Sequence, residues 1–182
     1  MSTYQDALEE YEAEDDNGKH RLIYAYFGLS IYFSQVLEQT FSTMLYVNRI
    51  FKNKVKTNKE INEIIDTIEK QGKTMGVLIN EVKQSYPLTK KLASDLDIIL
   101  KKRNHLAHKN FSVEIQKCYS NLGRKEMLKY FGDFIDQAKS IDADLDKYYS
   151  KCAEKMGITE QRIDESVNKM IQEELNRENN YS

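Results

Sequence analysis

The sequence predicts an all-α protein, an antiparallel helical bundle with long first and penultimate helices. Only one proline and seven glycines interrupt its 182 residues, while Leu, Ile, Lys, Glu, Gln and Met recur throughout. Two long stretches also place apolar residues at spacings of three and four, the period of one helix face. The length suits one domain with its own core. The expected organisation is an acidic lead over 1–18, a bundle over 19–156 and a C-terminal helix over 157–182.

The lead carries seven carboxylates, from Asp6 to Asp16, and no lysine or arginine. It reads as a helix, as a frayed solubilising tail, or as a competitor lying over a basic surface elsewhere. Asp16-Asn17-Gly18 is a turn signal, and the first long helix is expected from about 19 to 51. Its apolar face is expected to run through Ile23, Tyr26, Phe27, Ser30, Phe33, Leu37, Phe41, Met44, Val47 and Phe51. Thr57 or Asn58, followed by Glu60, can cap a helix through Ile61, Ile64, Ile65 and Ile68. Gln71-Gly72-Lys73 breaks that helix, and a short one through Val77, Leu78, Ile79 and Val82 stops before Pro87, because the residue preceding proline leaves helical geometry.

A further helix is expected over 88–107, with Asn110-Phe111-Ser112 ending it in a loop. From about Gly123 the second long helix carries Met127, Leu128, Phe131, Phe134, Ile135, Ala138, Ile141, Leu145, Tyr148, Cys152 and Met156. It is expected to pack antiparallel to the first. Gly157 is a helix stop, and Thr159-Glu160 restarts a last helix bearing Ile163, Val167, Met170, Ile171 and Leu175, which packs on the bundle or meets another subunit or partner.

No uninterrupted apolar run approaches the roughly 20 residues of a membrane span, and the N-terminus has no signal-peptide pattern. The expected location is cytoplasmic, with no membrane partner. Cys118 and Cys152 have no paired or metal-ligand spacing and read as reduced thiols; neither a metal nor a cofactor is expected. A net charge of −2 hides a basic stretch from Arg49 to Lys109 that includes Lys56, Lys101, Lys102 and Lys109. That stretch is either a solvated face or a surface that attracts phosphate.

The segment from Lys101 to Phe111 concentrates the chemistry, since it holds two of the chain's three histidines. A guanidinium at Arg103 can grip phosphate through paired hydrogen bonds, and an imidazole at His108 can move protons near neutral pH. Asn104 and His108 share a helix face, whereas Arg103 and His108 lie about 140° apart on a straight helix. Either the helix bends or opens after Asn104, or a second copy completes the site across a two-fold axis.

The Arg103-Asn104-x-x-x-His108 pattern resembles the signature of the HEPN superfamily of small α-helical bundles. The resemblance spans most of residues 20–150, including the glutamate in Leu37-Glu38-Gln39, the segment from Lys73 to Ile79 and the long helix after the motif. It implies a homodimeric, metal-independent endoribonuclease, of the toxin–antitoxin or antiviral-defence kind, with RNA as substrate and a cognate antitoxin protein as a possible partner. It further implies that Arg103 holds the phosphate, Asn104 orients and His108 transfers protons, with Lys101, Lys102 and Lys109 binding RNA and Glu38 supporting the motif.

Each residue also has a plainer role. Arg103 falls in register with Leu92, Leu96, Ile99 and Leu106, as a partly buried structural arginine paired with Glu38 or another acid would. His108 can cap its helix, Asn104 can bond within the bundle, His105 reads as surface, and His20 receives no role. The alternative functions are a non-catalytic module of the same fold that binds RNA, nucleotide or protein, and a helical partner-binding protein that relies on its acidic start and last helix.

Overall fold

The structure, a computed structural model, describes residues 2–55, 57–155 and 160–179, without the side chains of Phe111, Glu160, Arg162, Ile163, Ser166 and Asn179. The expected roles of Lys56, Met156, Gly157 and Thr159, and of the Ile163 side chain, lie outside the described residues. Eight α-helices are present among those residues and no strand. They are α1 (Thr3–Ala13), α2 (Asp16–Lys52), α3 (Asn58–Lys70), α4 (Met75–Ser85), α5 (Lys90–His108), α6 (Asn110–Glu114), α7 (Asn121–Lys155) and α8 (Glu160–Asn179). A 3₁₀ turn, Ile115–Tyr119, joins α6 to α7. The protein is an all-α helical bundle.

Short polar side chains set the helix starts, because the first turn of a helix has N–H groups without intrahelical partners. Asp15 accepts the Gly18 N–H at 2.7 Å to open α2, so Asp16-Asn17-Gly18 forms the first turn of the helix. Thr57 accepts the Glu60 N–H at 3.3 Å and donates its hydroxyl to the Glu60 carboxylate at 2.6 Å, the reciprocal cap foreseen in the sequence. Gly72, at φ 53°, follows α3 in the left-handed region that glycine enters without strain. After α4 the Tyr86 hydroxyl donates to the Met44 carbonyl at 2.7 Å, fastening the turn before Pro87 to α2.

The two long helices pack on each other, but they run parallel. Asp16 meets Arg124, Phe27 meets Phe131 with ring centroids 5.9 Å apart, and Thr40 donates to Asp142 at 2.6 Å, so contact positions advance together along both chains. This corrects the antiparallel pairing expected from the sequence. The physical reason is the return leg between them: α5 runs opposite to α7, as the pairs Thr89–Tyr148 and Lys102–Gln137 show. A chain that ascends, returns and ascends again leaves its two ascending helices parallel.

The acidic lead is a bundle helix rather than a free tail. Ala7 and Tyr11 are fully buried, and α1 runs antiparallel to α7, with Thr3 bonded to Asp136 and Tyr11 to Asn121. Its carboxylates are met by α2 and α7: Glu12 pairs with Lys125, Asp16 with Arg124, and Glu10 accepts the Tyr26 hydroxyl at 3.2 Å. The lead therefore does not lie over the basic stretch between Arg49 and Lys109. A Cβ on Gly132 would sit 2.7 Å from the Tyr4 backbone nitrogen, so glycine admits α1 to backbone contact with α7. On the last helix, Val167, Met170, Ile171 and Leu175 are exposed.

Substituting two helical glycines separates the packing constraint from helix propensity. Gly132→Ala is expected to lower stability by about 1–3 kcal/mol through overpacking. Gly28→Ala, where nothing lies within 4 Å of the added Cβ, is expected to raise it by up to about 1 kcal/mol. Urea denaturation measures both, and equal effects would contradict the α1–α7 contact.

Candidate functional site

Thr89 opens α5 by accepting the Leu92 N–H at 3.2 Å, and Leu92, Leu96, Ile99 and Leu106 carry its buried face. Arg103 shares that register and is turned toward α2, where Glu38 stands. Its Nη2 donates to Glu38 Oε1 at 2.7 Å, and the two side chains keep 24% and 28% of their surface exposed. The long Nη1 contact to Asn104 Oδ1, 3.4 Å, adds little. Asn104 and His108 are exposed on another side of the helix, and the His108 side chain makes no hydrogen bond or ion pair among the described residues.

The motif stays helical to its end. The Lys109 N–H closes the last turn on the His105 carbonyl at 2.9 Å, and α5 includes His108. Of the two routes left open by the sequence, opening after Asn104 is therefore not taken. On helical geometry Arg103 and His108 remain about 140° apart around the axis.

Part of the basic stretch is neutralised by nearby acids. Lys70 pairs with Asp66, Lys73 with Glu81, Lys83 with Asp97 and Lys91 with Asp95. Lys102 is half-buried and donates to Gln137 at 2.7 Å. Lys101 and Lys109 are exposed, and neither pairs with a carboxylate among the described residues. The cations open to an incoming anion thus include the two lysines that bracket the motif.

Behind the motif lies a cleft of about 480 Å³ between α5, α6 and α7. Its existence depends on a segment that the sequence assigned to a loop. After the backbone departs from helical geometry at Lys109, Asn110–Glu114 resumes as α6, with the Val113 N–H bonded to the Lys109 carbonyl at 2.9 Å. Residues four apart share a helix face, so Asn110 and Glu114 both line the cleft. Lys117, from the 3₁₀ turn, bridges Glu114 at 2.8 Å and Glu126 at 3.1 Å, and these two carboxylates hold its ammonium pKa above the usual value.

His105 belongs to this cleft, which corrects its assignment to open surface. It is half-buried, its ring meets Tyr130 edge-on at 5.6 Å, and its Nε2 lies 4.0 Å from Glu114 Oε1. Tyr130 donates its hydroxyl to the Lys102 carbonyl at 3.3 Å, while burial and the nearby Glu114 push its pKa up. Asn110 is 3% exposed, yet its Nδ2 has no hydrogen-bond partner among the described residues. A buried amide donor left unpaired costs about 1–3 kcal/mol, so this one needs an explanation.

The other expected features fall away from the motif. Cys118 is buried with its Sγ 3.7 Å from Met127 Sδ, and burial raises its thiol pKa; Cys152 is half-buried on α7, and both are free thiols. His20 accompanies the Arg124 network, its Nε2 3.5 Å from Nη1. No group of His, Cys, Asp and Glu among the described residues is arranged to hold a metal ion. No helix among them is long and apolar enough to cross a membrane. Comparison with family models, curated proteins and solved structures finds no match to the chain.

The Glu38–Arg103 pair is expected to show measurable coupling. Glu38→Ala should cost about 1 kcal/mol, less than a fully buried hydrogen bond to a charged group, because both side chains reach solvent. In a double-mutant cycle with Arg103→Ala, denaturant midpoints would register this coupling, and additive effects would dissolve the pair.

Proposed function

We propose that the chain is a metal-independent endoribonuclease of the HEPN type that works as a two-fold dimer, with the exposed faces of the two α5 helices meeting across an RNA groove. The observation that carries this reading is the unbroken α5, which exposes Asn104 and His108 beside Lys101 and Lys109 while Glu38 holds Arg103 on another side. One helix cannot bring the guanidinium and its own imidazole together, so a second copy supplies the missing half. The setting would be a toxin neutralised by an antitoxin protein or an antiviral-defence nuclease inside the cell, as the family resemblance implies.

In the proposed reaction the ribose 2′-oxygen attacks phosphorus and the bond to the 5′-oxygen breaks. A 2′,3′-cyclic phosphate and a free 5′-hydroxyl result. One His108 imidazole accepts the 2′-hydroxyl proton, and His108 of the partner subunit gives a proton to the departing 5′-oxygen. Arg103 stabilises the charge gathering on the non-bridging oxygens; a guanidinium has five N–H donors, so its bond to Glu38 leaves others for phosphate. Asn104 orients phosphate or imidazole. The 2′-hydroxyl is an internal nucleophile, which confines cleavage to RNA.

A second reading is a non-catalytic RNA- or protein-binding module, favoured by the 2.7 Å Glu38–Arg103 bond, which a purely structural arginine would also make. RNA cleavage with and without chelator distinguishes the two. His108→Ala and Arg103→Ala are each expected to lower turnover by about 10²-fold or more with the helical content unchanged, and His105→Ala much less. Cleavage that persists in His108→Ala, or vanishes with chelator, would sink the proposed mechanism.

A further inference from the structure

We infer that the cleft between α5, α6 and α7 is a subsite for one nucleobase with its phosphate, an inference that rests on the RNA-cleaving reading of the motif beside it. Two independent observations meet there. The space is of the size that small-molecule sites occupy, about 480 Å³. Asn110, almost fully buried in its lining, has a side-chain nitrogen with no acceptor. The Asn110 nitrogen lacks an acceptor and is sealed from solvent, so a ligand meets it only when the amide turns toward the cleft; the carbonyl oxygens and ring nitrogens of nucleobases then supply the acceptor.

The rest of the lining fits a flat ring that carries a negative group. Tyr130 and His105 meet edge-on at 5.6 Å, and with Met127 they form an aromatic and apolar wall. A base offers such a wall a π-face whatever its identity, whereas an aliphatic ligand would leave Asn110 unmet. Glu114 is already engaged by Lys117, so its charge does not stand uncompensated against an anion. Lys101, without a carboxylate partner among the described residues, lines the same cleft and can receive a phosphate.

The cleft and the motif share one helix, with His105 between Asn104 and His108 in sequence. His105 and His108 lie about 60° apart around the helix, so a strand held at His108 lodges a neighbouring base beside His105, and the cleft then sets which nucleotide flanks the cleaved bond. The same chemistry is offered by a free mononucleotide, which would act as an effector of the enzyme.

The experiment uses full-length His108→Ala protein, to keep RNA intact, and follows the His105 ring signals by NMR. The probes are AMP, GMP, CMP, UMP, ribose 5-phosphate and a short single-stranded RNA. At least one nucleotide or the RNA is expected to move the His105 signals saturably, while ribose 5-phosphate does not. Asn110→Ala should weaken that binding about tenfold without lowering the melting temperature, since it deletes an unpaired amide. Saturation by a mononucleotide assigns the free ligand, and response to RNA alone assigns a base within the chain. The subsite is overturned if ribose 5-phosphate acts equally, if Asn110→Ala binds as well as its parent, or if neither nucleotides nor RNA move His105. Wild-type cleavage assayed separately keeps the two proposals apart: cleavage with His105 unmoved rejects only the subsite, and a saturable shift without cleavage rejects only the nuclease.

Discussion

Arg124 is the point at which four parts of the chain are held together. Buried at the start of α7, it donates through Nε to the Tyr11 hydroxyl at 2.8 Å, through Nη1 to the Cys118 carbonyl at 3.0 Å and through Nη2 to Asp16 at 2.9 Å. One guanidinium thereby joins α1, the first turn of α2 and the 3₁₀ turn to α7. A buried charge is tolerated only when its donors are satisfied, and here a hydroxyl, a carbonyl and a carboxylate do so. The Tyr11 hydroxyl passes the chain of bonds on by donating to Asn121 at 2.8 Å. Gly123 completes the arrangement, because a Cβ there would lie 2.4 Å from the Lys117 carbonyl oxygen.

That anchorage reaches the candidate site through the 3₁₀ turn. Fixing Cys118 fixes Lys117, which holds Glu114 and Glu126 together on the far side of the cleft from α5. On the near side α5 is positioned by its buried leucines and isoleucine, by Glu38 on α2, and by the Lys102–Gln137 and Tyr130–Lys102 bonds to α7. The motif therefore sits on a helix secured from two neighbours, with its cleft-facing side shaped by α6 and its other side open. Rigid support of this kind is what a proton-transferring or phosphate-holding group requires.

Much of this was legible in the sequence, for a local reason. Helix period, capping residues and helix breakers act within a few positions, so the breaks at Gly72 and before Pro87, the Thr57–Glu60 cap and the buried stripes of α2 and α7 were readable from the chain alone. The Glu38–Arg103 pairing was also anticipated, because Arg103 shares the register of the core residues of α5. What was not legible depends on neighbours. Period alone does not give the direction of packing, and the parallel run of α2 and α7 follows from the return through α5. The acidity of the first residues concealed Ala7 and Tyr11, whose burial needs α7 and Gly132 opposite them. His105 and Asn110 gained a shared setting only when α6 formed, and Arg124 carries no local signal because its three partners come from distant segments.

On the proposed mechanism, catalysis needs two copies of His108, one from each subunit. Mixing wild-type and His108→Ala chains under conditions of subunit exchange, at constant total protein, and following RNA cleavage against the wild-type fraction tests this directly. If both imidazoles act at one scissile phosphate, activity falls with the square of that fraction, because only dimers with two wild-type subunits turn over. If each subunit cleaves alone, activity falls in direct proportion, and the two-fold site would be contradicted.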